Sequence, residues 1–342
     1  MAWLNKALSK HCDSKKLPEM VGEEVEMVIY VIEGLFVICV NLPVALVILF
    51  SRRFHHSKEF TFIAGLCLAD VVYGLCYFYA GAARIRMYGT GEDQLYRTKK
   101  ECYWAPWIVL SFAGYQYTSV MTFLVAADRF AALYCPFWYL NFTRKRKIFV
   151  VLGAFVLATF TIPLAYIFQV RSSESHELTS AECYLSHSLV KELWWFILGF
   201  RISAVTISVI FYIPIGCKVK KILQDKSARN VSKNRRMVHL TITIALTTTV
   251  SLFLIVIPDV VFLSGYFHKY FLLFYLVSLN NCVVYLALYS FRHRELRKAV
   301  FSVLKSFFKK EESNVTKSNH IIVAPLGFPR TKDDPGALRS SQ

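Results

Sequence analysis

Asp128 and Arg129 stand side by side near the end of an uncharged apolar and aromatic run that leads from Cys102 to Pro136. The run is long enough to cross a hydrocarbon core, which takes about 20 helical residues. It delivers an acid and an arginine to one edge of that core. Charge at membrane depth is costly unless paired or wet, so the pair marks a candidate functional site. The plainer alternative is an arginine that snorkels to mark the interface. Other polar residues recur inside apolar segments: Asn41, Asp70, Asn280 and Asn281. Together they can form a buried cluster that holds water or an ion between helices. Arg201 and Asp259 fall on neighbouring segments. Two uses stay open for them, a buried ion pair or an anchor in which Arg201 binds an anionic ligand group and Asp259 is its resting partner. Glu33 is a further charge with no partner legible in the sequence.

Catalytic patterns are missing. The chain has no His-Glu-x-x-His, no Gly-rich phosphate loop and no Ser-His-Asp set placed in one leaflet, so no enzyme and no metal site are expected.

The elements that carry these residues are membrane spans. The chain has 342 residues, 55% hydrophobic, with a formal charge of +17. That combination excludes an ordinary soluble domain. Seven apolar segments of helical length follow one another: roughly 25–50, 60–84, 103–133, 148–170, 189–219, 238–267 and 270–291. The basic residues cluster between them rather than over a polar surface, which argues against nucleic-acid binding. One set of loops is persistently basic: Arg52, Arg53 and Lys58, then 144–147, then Lys218 to Arg236, then the segment after Phe291. The other set mixes signs. The basic set is therefore expected in the cytosol, with the amino terminus outside and the tail inside. Residues 1–24 contain no apolar core, so no cleavable leader is expected and the first span would act as the insertion signal.

Cys102 and Cys183 both fall on the outer side, where a disulfide can form. Cys39, Cys67, Cys76 and Cys282 lie within spans and read as packing residues; no role for Cys12 is legible. The Asn-x-Ser/Thr sites at Asn141, Asn230 and Asn314 fall on the cytosolic side and are discounted.

Taken in order, Asn41, Asp70, Cys102 with Cys183, Asp128-Arg129-Phe130 followed by Pro136, Tyr212, Pro258, and Asn281 with Tyr285 resemble the rhodopsin-like G-protein-coupled receptors over about residues 25–310. Within them the texture is most similar to the nematode serpentine chemoreceptors. The resemblance implies an all-α seven-transmembrane bundle and a ligand-driven rearrangement of its helices. Arg129, released from Asp128, would face a heterotrimeric G protein. Phe130, Tyr212, Asn281 and Tyr285 would take part in activation. Asn41, Asp70 and Asn281 would hold water or a sodium ion at rest, with no other cofactor. A ligand pocket would draw on Ser111, Phe112, Tyr115, Gln116, Arg201, Asp259 and Tyr275. Ser111 stands where an amine-binding aspartate would be and Tyr275 where a retinal lysine would be, so neither a monoamine held that way nor retinal is expected.

The chain departs from that family at Val256 and Cys282, where tryptophan and proline are usual. It has no acid near Arg235 to His239 to clamp Arg129, so raised basal activity is expected. Beyond the bundle (25–291), residues 292–310 suit an amphipathic helix on anionic lipid and 311–342 a disordered tail. The extracellular ligand would be a small molecule or a peptide. The alternative function is a multi-span transporter or channel, which polar residues inside spans also mark; no internal repeat supports it.

Overall fold

The computed structural model describes residues 17–51, 60–224, 242, 245–246, 249–264, 274, 276–282 and 284. The chain divides into two units, 1–300 and 301–342, and the second lies wholly outside those residues. Tyr275, Tyr285, the expected amphipathic helix at 292–310 and the tail also lie outside them.

The described chain is almost entirely helical. Its elements are α1 (Leu17–Phe50), α2 (Thr61–Thr90), β1 (Tyr96–Thr98), α3 (Lys99–Tyr103), α4 (Pro106–Tyr134), α5 (Pro136–Asn141), α6 (Arg144–Arg171), β2 (Leu178–Ser180), α7 (Leu185–Ser188), α8 (Lys191–Gln224) and α9 (Ile257–Ser264). Five helices are long and apolar enough to cross a membrane: α1 from Glu24, α2, α4, α6, and α8 as far as Lys218. A shorter apolar helix covers Thr249–Leu263, where the sixth span is expected. Residues 276–282, on the expected seventh, are helical.

Prolines set the boundaries of α4. The residue before a proline is pushed out of the α region, and Ala105 accordingly has φ −58° and ψ 132°. Pro106 then occupies the first turn, where its missing N–H costs nothing. The run from Cys102 to Pro136 is therefore not one helix. Cys102 belongs to the separate turn α3, which Thr98 and Glu101 close with reciprocal backbone hydrogen bonds. At the other end Cys135 leaves the helix ahead of Pro136, which opens α5.

The rods α1 and α2 pack through glycine. A Cβ on Gly34 would stand 2.7 Å from the Gly74 carbonyl oxygen, and one on Gly81 would stand 2.7 Å from that of Met27. In lipid no hydrophobic force pulls helices together, so such close backbone contact is a main source of attraction. By contrast α6 buries only Lys147, Val151, Ala158, Ile162, Ala165 and Gln169. Its other face, with Phe149, Val156, Leu157 and Phe160, is exposed and suits lipid. A short antiparallel pair, Tyr96 opposite Ser180 through Thr98 opposite Leu178, joins the loops at one end of the bundle.

Gly34→Val should lower the unfolding temperature of the solubilised protein and its level at the cell surface, by the ~1–3 kcal/mol typical of overpacking. Gly153→Val, where an added Cβ meets nothing within 4 Å, should leave both unchanged.

Candidate functional site

At one end of the bundle, Asp128 and Arg129 lie in the next-to-last turn of α4 and are buried to 7% and 2% exposure. Arg129 Nη2 stands 2.7 Å from Asp128 Oδ2. The other oxygen, Oδ1, accepts a hydrogen bond from Lys147 Nζ of α6. Lys147 also donates to the Tyr139 hydroxyl at 3.0 Å, and its ammonium lies 4.4 Å from the centroid of that ring. One carboxylate thus serves two buried cations. Sequence reasoning placed Lys147 in a loop. The signal was the helical spacing of the apolar stripe on α6, which Lys147 heads one turn before Val151.

Phe130 stacks on Tyr134 at 4.7 Å and on Phe211 of α8 at 5.3 Å. The Tyr134 hydroxyl donates to the Pro214 carbonyl at 2.9 Å. Phe130 therefore joins α4 to α8. Tyr212 is buried on α8 one residue further on.

In mid-bundle Asn41, Asp70 and Asn281 are all buried. Asn41 Nδ2 is used by its own helix, donating to the Val37 carbonyl at 3.1 Å. Asp70 Oδ1 accepts from the Cys282 thiol at 3.3 Å. So the residue that departs from the family pattern in the seventh span, Cys282, is the direct donor to Asp70. Asn281 next to it is not that donor, and its Oδ1 has no hydrogen-bond partner among the described residues.

Nearer the disulfide end, Arg201 of α8 and Asp259 of α9 form a buried ion pair, Nε to Oδ2 at 3.3 Å. They are exposed by 2% and 0%. Neither oxygen of Asp259 receives a hydrogen bond among the described residues, so charge holds the pair rather than hydrogen-bond geometry. Arg201 Nη2 donates to the Ser278 hydroxyl at 2.5 Å, and its guanidinium lies 4.2 Å from the Tyr115 ring centroid. The Tyr73 hydroxyl lies 3.5 Å from Ser278 Oγ and 3.0 Å from the Tyr77 hydroxyl. Tyr73, Tyr77 and Ser278 were missed in the sequence. Tyr73 and Tyr77 follow Asp70 at helical spacing, which was the available clue.

The expected ligand pocket is divided. Ser111 and Tyr115 line a cavity of about 40 Å³ together with Tyr30, Tyr77, Arg84 and Trp107. Phe112 and Gln116 do not line it and are buried in the core, and Arg201 and Asp259 lie outside it too. A more open groove of about 420 Å³ runs between Arg86, Glu92, Arg97 and Glu101, and Trp107 is a wall common to both. Glu33, on α1, has a side-chain hydrogen bond with Asn280.

The loop after α6 covers the cavity. A disulfide joins Cys102 to Cys183, which holds a positive φ of 47°. The Cys183 carbonyl accepts from Trp107 Nε1 at 3.2 Å and Arg84 Nη2 at 3.4 Å. Those partners over-determine a backbone conformation that cysteine rarely adopts. Lys99 bridges Glu177 at 2.7 Å and Glu174 at 3.3 Å. The Glu174 carboxyl is held below its ordinary value, first by the Lys191 backbone N–H and next by the Lys99 ammonium, so it stays charged at neutral pH. Gln169 pins the start of α8, accepting from the Val190 N–H and donating to the Ser188 carbonyl, both at 2.9 Å.

No curated protein matches the sequence. The family model of the 7 transmembrane receptor (rhodopsin family) matches residues 40–289. That stretch takes in the two-cation cluster at Asp128, the Asp70–Cys282 contact, the Arg201–Asp259 pair and the covering loop. The chain is therefore a multi-pass, all-α seven-transmembrane protein and belongs to the rhodopsin family of seven-transmembrane receptors.

Proposed function

We propose that this receptor lies in the plasma membrane with the disulfide end outside, senses an extracellular chemical ligand, and activates a heterotrimeric G protein through the Arg129 end. The observation that carries the proposal is the burial of Arg129 against Asp128 at one edge of the bundle. A guanidinium so placed is hidden from any partner until α4 and its neighbours move apart. The disulfide end holds the features that a ligand from outside would meet first: the cavity, the open groove beside it and the covering loop.

Lys147 sets the energetics of release. Stripping a buried charge of its sole partner costs about 3–5 kcal/mol. When Arg129 leaves, Asp128 keeps Lys147 and is not orphaned. Release is therefore cheaper than in a simple pair, which supports the raised basal activity expected from the sequence. Asp70 and Asn281, buried on adjoining helices, supply the oxygens for a sodium ion or water cluster at rest. Such an ion would add charge compensation for Asp70 and tie α2 to the seventh span. Arg201 and Asp259 would tie α8 to α9 in the same resting state.

Two sets of variants test this, read by guanine-nucleotide exchange on purified alpha subunits and by surface labelling. Lys147→Met should lower basal exchange several-fold, because Asp128 then has only Arg129 to hold. Asp128→Asn should raise it and also lower surface level, since Lys147 is left buried without its anion. Unchanged exchange for both variants on every alpha subunit tried would sink the coupling role.

Arg201→Gln should reduce surface level by leaving Asp259 bare. The double variant Arg201→Gln, Asp259→Asn should restore that level and raise basal exchange, because α8 and α9 are no longer tied. A restored level with wild-type exchange would reduce the pair to a packing role.

A further inference from the structure

Four cationic side chains are buried among the described residues: Arg84, Arg129, Lys147 and Arg201. Three of them have a carboxylate within 4 Å. Arg84, near the disulfide end of α2 and 4% exposed, has none among the described residues. Its partners are neutral. Nε donates to the Glu182 carbonyl at 3.2 Å and Nη2 to the Cys183 carbonyl at 3.4 Å. The guanidinium lies 4.0 Å from the Tyr184 ring centroid. The carboxylate of Glu182, whose carbonyl Arg84 uses, is turned to Tyr88 and accepts its O–H at 2.6 Å. Carbonyls and a ring orient a guanidinium, but they do not cancel its charge, and a buried charge is costly until something does.

One nitrogen remains weakly engaged. Among the described residues Nη1 meets only the Met27 thioether, at 4.0 Å, and thioether sulfur is a poor acceptor. Arg84 also lines the cavity of about 40 Å³, beside Tyr30, Tyr77, Trp107 and Tyr184. That volume holds roughly three water-sized probes. It suits the head group of a ligand and is far below the roughly 300 Å³ that a whole drug-sized molecule takes.

We propose that this cavity is an anion site in which Arg84 binds the carboxylate of a small extracellular ligand, Nη1 exchanging the Met27 sulfur for a carboxylate oxygen beneath the Tyr184 ring. The proposal names the ligand class of the receptor argued above and rests on that reading only for the side from which the ligand arrives. Arg84 is buried, so a charge-assisted hydrogen bond formed there is stronger than one at the surface. Tyr115 lines the cavity on one side and lies under the Arg201 guanidinium on the other. A bound head group is thereby one ring away from the pair that joins α8 to α9.

The test uses the purified full chain and measures its unfolding temperature. Formate, acetate, propionate and butyrate are compared with the corresponding amides, at ionic strength matched with sodium chloride. Carboxylates should raise the midpoint by about 2–4 °C at saturating concentration, and the amides should not. Arg84→Gln should abolish the shift. Should Arg84→Gln fail to fold, Arg84→Lys, which keeps the charge, should retain a smaller shift with the same preference for carboxylate over amide. Equal effects of acid and amide, or a shift that survives in Arg84→Gln, would overturn the site. Nucleotide exchange separates this from the receptor reading. A carboxylate-specific shift with no exchange on any alpha subunit upholds the site and counts against coupling. Exchange that responds to Asp128→Asn with no carboxylate-specific shift upholds coupling and overturns the site.

Discussion

Lipid gives a bare charge nothing to lean on, and that constraint arranges this bundle. Each buried ionic or polar cluster takes members from more than one helix. Asp128 and Arg129 come from α4, Lys147 from α6 and Tyr139 from α5. Arg201 comes from α8, Asp259 from α9 and Ser278 from the seventh span. Asp70 of α2 meets Cys282 of that same span. Apolar side chains alone would not select these neighbours, because a leucine is as content against a lipid tail as against another helix. The charged groups are costly to misplace, so they fix which helices adjoin and in what register. Glycine then decides how near they come, as Gly34 and Gly81 do for α1 and α2.

The disulfide end follows a different rule. Here the backbone is irregular, and covalent and hydrogen-bonded ties replace helix packing. The Cys102–Cys183 bond fastens the covering loop to α3, while the carbonyl of Cys183 takes donors from α2 and α4. Lys99 and its two glutamates, with the short pairing of β1 and β2, hold the loop after α2 to the loop after α6. The cover is therefore anchored on several helices, and any displacement of it pulls on α2 and α4 together.

Much of this was legible in the sequence because helix length, apolar content and the placing of basic loops are properties of the chain read one residue at a time. The five complete spans, the Asp128–Arg129 pair and the Arg201–Asp259 pair are of that kind. What escaped was relational. Pro106 should have flagged a break at Ala105. Lys147 looked like one more basic loop residue until its helical register put it on the buried stripe. Cys282 looked like a lost proline and is the donor to Asp70. Arg84 closes the expected second span, 60–84, yet α2 runs on to Thr90 and draws it under the cover. In each case the residue type was visible, but its partner lay on an element distant in sequence.

The substitution of Val256 for the usual tryptophan takes on a different meaning beside the backbone around it. Residues Leu252–Val256 form a π-helical turn, directly ahead of Pro258. Proline cannot donate a helical hydrogen bond, and a wide turn absorbs the backbone groups it would leave unmet. Such a segment bends more readily than a continuous α-helix. Asp259 follows it immediately and is held by Arg201 through charge, without a directed hydrogen bond. A wide turn is thus built into the main chain there, and the Arg201–Asp259 contact adjoins it on the disulfide side. The Arg201–Asp259 pair beside that turn lies one ring away from the cavity through Tyr115.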